Sequence, residues 1–573
     1  MEYSAIVHYM EKRYCYAVEK GKFIIRIETK KNDMQRVILH YRDKYIPVEF
    51  LDTSKSVEMK RTASDRFKDY YEALIEIDCR CLRYQFELVD TQGQTSFFGN
   101  YEFFDEKITH NDWMFDLPQT LREEELMDIP QWANNKVVYQ IFPSRFATTE
   151  SVPKDEWYKV PIGPRDNLKG NLRGIINRLG HIKQLGIDVI YMTPVFRSDS
   201  THKYDTIDYY KIDPSFGDES DLKELVDKAH DMGMRVILDA VFNHTSPKFF
   251  AFQDIVDKEL ESEYIDWYYI ESFPLKSGFK QEKPNYKTFA YHGGMPKLNL
   301  QNEAVADYFI NVAKYWIEKC DIDGWRLDVG DEVSHYFWKK FRRAIKAVKP
   351  EALIIGEIWH YAGDFLEGDE WDTVMNYPFY LAVQDFVANK SITASQFAGR
   401  LGLLEGRLYR QIIPVLLNLI DSHDTARFMH VAGNNRDKLK LAAAMQLLLP
   451  GMPMIYYGDE FGMTGGNDPD CRRGMVWDED YQDKEMFVWY SKLTSIRKQL
   501  PALLEGELAE CVTDDENAII KMVRELQGKR VTVVFHAGDK DVCFEEYKGC
   551  VDCLTGETFD GNLRGYHALL FEQ

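Results

Sequence analysis

Polar residues suited to acid and base chemistry follow several short apolar segments of this sequence. They occur in four places: Asp239 and His244; Arg326 and Asp328; Glu357; and Asp421, His423 and Asp424. An unpaired carboxylate in a protein interior is unfavourable by roughly several kcal/mol. Three or more carboxylates that converge at the ends of buried strands therefore indicate a site with a chemical role.

The spacing of two of these groups favours cleavage of a glycosidic bond. Arg326 and Asp328 are two residues apart on a predicted strand, so they point to the same side, and the guanidinium would lower the pKa of Asp328. Glu357 lies among apolar residues, which would raise its pKa. An ionised nucleophile and a protonated acid are what a glycosidase requires. The sequence leaves the distance between them open, and with it the choice between retention and inversion.

Each of these residues also has a structural interpretation. A single carboxylate at a strand end is more often a helix cap or part of a surface ion pair. Arg326 alone would be a structural salt bridge, and a lone histidine is more often hydrogen-bonded in the core. The joint placement on successive strand ends favours a site. Asp331 and Glu332, in contrast, are interpreted as caps of the following helix.

The elements that must position these residues follow a repeating pattern of apolar strand and amphipathic helix from about residue 136 to 500. Eight such units predict an α/β fold, a (β/α)8 TIM barrel, whose active site lies at the carboxyl ends of the strands. We assign residues 121–502 to this barrel, with an insertion at 243–304 after strand three. The aromatic segments DWYYIESF and FAYHGG of the insertion fit either a small core or a carbohydrate-stacking surface.

Two further domains flank the predicted barrel. Residues 1–120 contain short alternating segments separated by turn residues, which predicts an N-terminal β-sandwich. Residues 503–573 return to the same pattern and predict a C-terminal β-sandwich. The 573 residues are thus divided into three domains.

Composition excludes several classes of function. The net charge of -22 disfavours binding to nucleic acid or to anionic membranes. No apolar run approaches the roughly 18 residues of a membrane helix, and the first residues lack the apolar core of a signal peptide. The nine scattered cysteines fit a reducing compartment. These features predict a cytoplasmic protein.

Four motifs resemble the sequence regions of the α-amylase family, glycoside hydrolase family 13. They are DAVFNH (239–244), GWRLDV (324–329), GEIWH (356–360) and LIDSHD (419–424). The segment MPKLN (295–299) and the N-terminal module, which is similar to a starch-binding domain, resemble the neopullulanase, cyclomaltodextrinase and maltogenic amylase subgroup. The resemblance extends from about residue 136 to the end of the chain.

The resemblance implies a role for each matching residue. Asp328 would be the nucleophile of a retaining mechanism, Glu357 the acid/base, and Asp424 the carboxylate that stabilises the transition state. The implied substrate-binding residues are Tyr204, Asp239, His244, Arg326, Trp359, His360, His423, Asp468 and Arg472. Among these, Trp359 and His360 would line the leaving-group side, and Tyr204 would stack under the cleaved glucose.

The implied activity is hydrolysis of α-1,4 bonds in cyclomaltodextrins, maltooligosaccharides or pullulan by a homodimer. We expect no cofactor and no metal: calcium is possible, but FPSRFATTESVPKD lacks the usual loop ligands, and Asn171 stands where Asp is common. One alternative is a transglycosylase on the same scaffold. A second is a divalent-metal hydrolase with ligands Asp239, His244, Glu357 and Asp424, and a third is a glucan-binding protein without catalysis.

Overall fold

The computed structural model describes residues 1–46, 54–79, 81–100, 102–118, 126–278 and 283–573. The predicted boundary between residues 120 and 121 lies outside these ranges. Three regions of different architecture follow one another along the chain: two antiparallel sheets, a closed parallel barrel, and a smaller antiparallel region.

The barrel consists of eight parallel strands, as predicted, and it closes by pairing of the first strand with the last. In chain order the strands are Val138–Ile141, Val189–Met192, Arg235–Ala240, Gly324–Leu327, Leu353–Gly356, Thr373–Asn376, Leu417–Leu419 and Met452–Tyr456. Their side chains are almost all buried, because helices cover the outside and apolar residues fill the inside. This burial explains why the strands form unbroken apolar runs in the sequence.

The helices pack around the barrel and along its loops. They are Pro143–Phe146, Lys154–Trp157, Leu172–Ile176, Leu179–Gln184, Glu219–Asp231, Phe250–Lys258, Glu303–Cys320, His335–Val348, Tyr377–Val383, Ala394–Arg407, Phe428–Val431, Arg436–Leu448, Lys484–Gln499 and Pro501–Glu505. None of the helices in the described ranges is long and apolar enough to cross a membrane. An antiparallel pair, Phe196–Ser198 and Thr206–Ile212, carries Tyr204 in its connection over the barrel.

The N-terminal domain is a β-sandwich, which confirms the prediction. One sheet contains Cys15–Glu19, Lys22–Lys30, Lys68–Glu76 and Lys60–Ser64, and the other contains Lys55–Glu58, Met34–Asp43, Cys81–Asp90, Thr95–Gly99 and Glu102–Phe104, with Phe115–Pro118 paired to Cys81–Asp90. Apolar residues from both sheets form one core. The domain contacts the barrel through Arg26, whose Nη2 donates to the Leu408 carbonyl at 2.8 Å.

The C-terminal region contains two sheets of unequal size. The larger has the strands Glu507–Asp514, Ile519–Leu526, Lys529–His536 and His567–Glu572, and the smaller pairs Val542–Cys543 with Asn562–Leu563. Val534 and Phe571 of the larger sheet share a small core with Leu563 of the smaller one.

Buried aromatic residues of the insertion after strand three pack into the main hydrophobic core of the chain. Trp267 and Tyr268, in the DWYYIESF segment, are buried, and Tyr268 is bridged to Leu298. This segment therefore has a packing role, the first of the two roles considered for it, within the main core and not in a separate small one. Phe289, in FAYHGG, lies elsewhere and is described with the site below.

Candidate active site

Arg326 lies at the centre of the carboxylates that were predicted to converge. It is fully buried, and its guanidinium nitrogens lie 3.1 Å from Asp239 Oδ1, 2.9 Å from Asp328 Oδ1, 2.8 Å from Glu357 Oε2 and 3.9 Å from Asp424 Oδ2. These residues come from barrel strands three, four, five and seven or from the loops directly after them. One cation thus gathers four carboxyls at the carboxyl ends of the strands.

The register of the barrel explains this gathering. Asp239 is paired with Arg326 across strands three and four. The ladder continues past the strand ends, where the Asp328 N–H donates to the Ala240 carbonyl and the Glu357 N–H donates to the Leu327 carbonyl, both at 3.1 Å. The main chains of Asp328 and Glu357 are therefore fixed before their side chains are placed.

The pKa shifts agree with one sequence prediction and contradict another. Burial raises the pKa of Glu357, as expected, with Arg326 opposing the shift. The prediction that Arg326 holds the pKa of Asp328 below its ordinary value is wrong, because burial and three neighbouring carboxyls outweigh the guanidinium and raise that pKa. Burial also raises the pKa of Asp424, and it raises the pKa of Asp239 to about 6. One arginine does not neutralise three buried carboxyls and the partly exposed Asp424.

Asp424 has a second cationic partner on the loop after strand eight. Arg472 Nη2 donates to Asp424 Oδ1 at 3.4 Å, and its Nη1 lies 2.8 Å from Asp468 Oδ1. Arg472 Nε donates to the His423 carbonyl at 2.8 Å. The predicted substrate-binding residues Asp468 and Arg472 are thus paired with each other and connected to Asp424.

Tyr204 and His423 form a flat surface next to Asp239. Their rings are nearly parallel, with centroids 5.6 Å apart, and the Tyr204 hydroxyl lies 2.5 Å from His423 Nε2 and 3.0 Å from Asp239 Oδ2. Burial holds the pKa of His423 well below its ordinary value, so the ring is neutral. A neutral ring and a phenol can hydrogen-bond sugar hydroxyls without repelling a developing positive charge.

His244 lies on the insertion side of the site. Its Nε2 hydrogen-bonds the Tyr204 carbonyl at 3.1 Å, its ring stacks on Phe289 with centroids 5.2 Å apart, and burial lowers its pKa to about 3. Phe289 also lines the cleft. The FAYHGG segment therefore contributes an aromatic ring to the site, the second of the two roles considered for the insertion.

Of the residues described above, Tyr204, His244, Asp328, Glu357, Asp424, Asp468 and Arg472 line an open cleft of about 470 Å³. Asp239, Arg326 and His423 are buried and are not among its lining residues. Its walls include six residues that sequence reasoning did not assign to the site: His202, Phe289, Met295, Val329, Asp331 and Glu332. Trp359 lines the cleft and stacks on Tyr377 with centroids 4.0 Å apart. His360 is exposed and near enough to Asp331 to affect its pKa, but it is not among the lining residues. Its role on the leaving-group side stays a prediction.

Asp331 and Glu332 are not the helix caps that the sequence suggested. The following helix begins at His335, and the Ser334 side chain accepts from the N–H of Phe337 at its N-terminus. Glu332 instead lies 3.4 Å from Lys297 Nζ. Their positions three and four residues after Asp328 were the available signal that they border the same cleft.

Asp421 does not join the other carboxyls. Its Oδ2 accepts from the Phe428 N–H at 2.7 Å, and it contacts Asp459, which is paired with Arg427 at 3.0 Å. All three residues are buried, and none is among the residues that line the cleft. The grouping of Asp421 with the catalytic rim is therefore wrong.

The side chain of Asn171, beside the loop after strand one, is used in hydrogen bonds within the protein. The Asn171 side chain caps a helix by accepting from the Gly174 N–H at 2.8 Å, and its amide group donates to Thr149 Oγ1 at 3.2 Å. Across the described residues, no group of three or more His, Cys, Asp or Glu side chains is arranged to hold a metal ion.

Comparisons with known proteins agree with this geometry. Residues 140–506 match the α-amylase catalytic domain, and residues 1–120 match the α-amylase N-terminal ig-like domain. The chain is 40% identical to Neopullulanase 2 of Thermoactinomyces vulgaris (97% of this chain and 96% of the relative covered) and 41% identical to the cyclomaltodextrinase of Thermoanaerobacter pseudethanolicus (96% and 95%).

A solved structure of a cyclomaltodextrinase superposes with a TM-score of 0.91 at 36% identity, covering 100% of this chain and 98% of the other. The match extends over all three regions of the fold, so the flanking domains are shared as well as the barrel. The chain belongs to the α-amylase family, and it is a glycoside hydrolase that acts on α-glucans.

Proposed function

We propose that this enzyme hydrolyses α-1,4-glucosidic bonds of cyclomaltodextrins, maltooligosaccharides or pullulan with retention of configuration. The observation that carries the proposal is the gathering of Asp328, Glu357 and Asp424 around Arg326 on an open cleft. The names of the relatives, cyclomaltodextrinase and neopullulanase, support the substrate class.

The proposed first step uses Asp328 and Glu357 in different protonation states. Asp328 Oδ attacks C1 of the glucose, the C1–O bond breaks, and Glu357 gives its proton to the departing oxygen. Burial raises the pKa of both carboxyls and Arg326 contacts both, so the acid is assigned to Glu357 by its match to the family motif. Asp328 must be ionised, and the guanidinium of Arg326, whose Nη1 lies 2.9 Å from Asp328 Oδ1, favours this anion. Water then attacks the glucosyl-Asp328 ester, with the Glu357 carboxylate as the base.

The remaining site residues are proposed to hold the sugar on either side of the cleaved bond. Tyr204 and His423 supply a ring surface and hydrogen bonds next to Asp239. Arg472 and Asp468 would bind hydroxyls further along the cleft, beside Asp424. Trp359, with 41% of its surface exposed, would contact the leaving group.

The stereochemistry is tested by proton NMR during early hydrolysis of maltotriose. Retention predicts that the new reducing end appears first as the α-anomer and then mutarotates. A β-anomer formed first would contradict the covalent glucosyl-Asp intermediate.

Substrate preference is tested by initial rates and products on β-cyclodextrin, pullulan, soluble starch and maltotriose. We expect faster turnover of the cyclic and short substrates than of starch. A preference for starch would instead indicate an open-cleft amylase. Longer oligosaccharides formed at high maltotriose concentration would measure transfer of the same intermediate to a sugar hydroxyl.

We further propose that the enzyme is a cytoplasmic homodimer. Exposed aromatic residues on the N-terminal domain, Tyr3, Tyr45 and Trp113, could meet a second subunit. All nine cysteines are free, which supports a reducing compartment. A monomeric mass in sedimentation at micromolar protein would contradict the dimer.

A further inference from the structure

Val329, the residue after Asp328, has an unusual backbone conformation. Its φ is 47° and its ψ is 44°, in the left-handed region, although its side chain is branched at Cβ. Such a conformation is unfavourable for valine and persists only where the surrounding structure fixes it. Here the Asp328 N–H is held by the Ala240 carbonyl on one side, and the turn Gly330–Glu332 begins on the other.

This conformation directs the Val329 N–H at the proposed acid. The N–H donates to Glu357 Oε2 at 2.8 Å, and Arg326 Nη2 lies 2.8 Å from the same oxygen. A proton on Oε2 would meet both of these positively polarised groups. Both contacts at 2.8 Å are made to Oε2, so Oε1 is the oxygen that can carry a proton at lower cost. The Trp359 side chain and the Asp424 carboxyl also act on Glu357, the first lowering its pKa and the second raising it.

We propose that the main-chain N–H of Val329, together with Arg326, places the acidic proton of Glu357 on Oε1. Val329 is thus a positioning residue that acts through its backbone, and the inference rests on the proposed role of Glu357 as the acid. In the step concerned, the Oε1–H bond breaks, its proton binds the glycosidic oxygen, that oxygen takes the electron pair of the broken C1–O bond, and Glu357 is left as a carboxylate. A proton on Oε2 would remain against the backbone.

Two variants separate the N–H from the side chain. Replacement of Val329 by its α-hydroxy analogue converts the amide to an ester, which removes the donor and keeps the side chain. Val329→Gly keeps the donor, removes the side chain and favours the left-handed backbone. The matched control is the same amide-to-ester change at Val333, whose N–H donates to the Gly330 carbonyl at 3.3 Å in the same turn.

The measurement is kcat/KM on maltotriose and on 4-nitrophenyl α-maltoside, whose leaving group needs no proton. We expect the ester at Val329 to lower the ratio of the two by about tenfold, and to move the alkaline limb on maltotriose up by about one pH unit, since a donor to the carboxylate is lost. Val329→Gly should keep the wild-type ratio, and its thermal midpoint should rise.

The inference is contradicted if the ratio of kcat/KM on maltotriose to kcat/KM on 4-nitrophenyl α-maltoside is the same for the esters at Val329 and Val333. It is also contradicted if this ratio falls as far in Val329→Gly as in the Val329 ester. Glu357→Gln tests the underlying proposal separately. A selective loss on maltotriose in Glu357→Gln identifies Glu357 as the acid whatever the Val329 variants do. Equal losses on both substrates would contradict the proposed function itself.

Discussion

Two fully buried arginines at the same end of the barrel each hold several carboxyls, yet only one of these groups borders the cleft. We call them the open cluster and the sealed cluster. The open cluster is Arg326 with Asp239, Asp328, Glu357 and Asp424; the sealed cluster is Arg427 with Asp421, Asp459 and the neighbouring Glu460. Both contain the residue types of a glycosidase site. Composition and strand position alone therefore do not identify the site.

The two clusters differ in how their oxygens are satisfied. In the sealed cluster, Glu460 accepts from the Tyr139 hydroxyl and the Gly458 N–H, both at 2.7 Å. Asp421 Oδ1 and Asp459 Oδ2 are buried without an ordinary donor, and the two side chains contact each other. We therefore expect the pair to share one proton. The open cluster instead presents Asp328, Glu357 and Asp424 to the cleft. The open cluster differs from the sealed cluster in that a ligand in the cleft can reach its carboxyls.

The largest contrast is expected between Asp328→Asn and Asp459→Asn. Loss of the proposed nucleophile should lower kcat/KM on maltotriose by about 10⁴-fold. Asn in place of a carboxyl that is already protonated should change kcat/KM by less than about threefold, because an amide can replace a neutral acid. Initial rates of the two purified variants provide the test.

The thermal midpoint of Asp459→Asn gives an independent measure of the shared proton. Burial and Asp421 raise the pKa of Asp459 in the folded state, so the proton's contribution to stability is full below the unfolded pKa and is lost as pH rises toward the folded one. The variant should therefore gain stability relative to wild type between pH 5 and pH 8. A difference in thermal midpoint between Asp459→Asn and wild type that stays constant with pH would contradict the shared proton. Intact hydrolysis by Asp328→Asn would contradict the assignment of Asp328 as the nucleophile.

The next contrast concerns the arginines. Arg427→Met should lower the thermal midpoint by roughly 5–10 °C, because it removes the cation from a sealed group of carboxyls and from its position over the rings of Tyr456 and Tyr457. Arg326→Met should lower it less, since its carboxyls border a cleft where they can be hydrated. The loss of kcat/KM should instead be larger in Arg326→Met than in Arg427→Met. Equal thermal midpoints of Arg427→Met and Arg326→Met, measured at one scan rate, would contradict this difference between the sealed and the open cluster.

The sequence predicted the open cluster better than it predicted the sealed one. Asp239, Arg326, Asp328 and Glu357 follow from strand ends, because parallel strands in register bring their carboxyl ends to one rim. Asp421 also follows a strand end, but its direction depends on the Phe428 N–H and on Asp459, which lies 38 positions further along the chain. The position of a residue at a strand end predicts that it lies at the carboxyl end of the barrel. Its partners from distant parts of the sequence determine whether its side chain faces the cleft.

The pKa of Asp328 shows a second limit. Two-residue spacing correctly placed Arg326 beside it, but the balance of charges depends on how many other carboxyls share that guanidinium. The left-handed backbone of Val329 was also not visible, because valine gives no sequence signal for that conformation. The number of carboxyls that share the Arg326 guanidinium becomes known only when the barrel is assembled.

A smaller effect is expected from Trp359→Phe, which tests whether the acid of the open cluster is tuned from the cleft side. The Trp359 side chain acts on Glu357 to lower its pKa, while the ring stacks on Tyr377. Phe keeps the stacking and lacks the N–H. The alkaline limb of kcat/KM should therefore move up by about half a pH unit.

Trp113→Phe is the matched control, since Trp113 is 44% exposed against 41% for Trp359 and lies in the N-terminal domain. Its pH profile should equal that of wild type. A downward shift in Trp359→Phe, or equal shifts in both variants, would show that the indole N–H does not tune Glu357.

The smallest effect is expected from removal of divalent ions, and it tests whether the open cluster is a site for an arginine or for a metal. Arg326 already occupies the position between Asp239, Glu357 and Asp424 where a cation would have to bind. Dialysis against EDTA should therefore change kcat/KM by less than about twofold and leave the thermal midpoint unchanged. Activity lost in EDTA and restored by zinc would favour the divalent-metal hydrolase. A midpoint lowered by EDTA and restored by calcium, with activity per folded molecule unchanged, would instead place a structural ion away from Arg326.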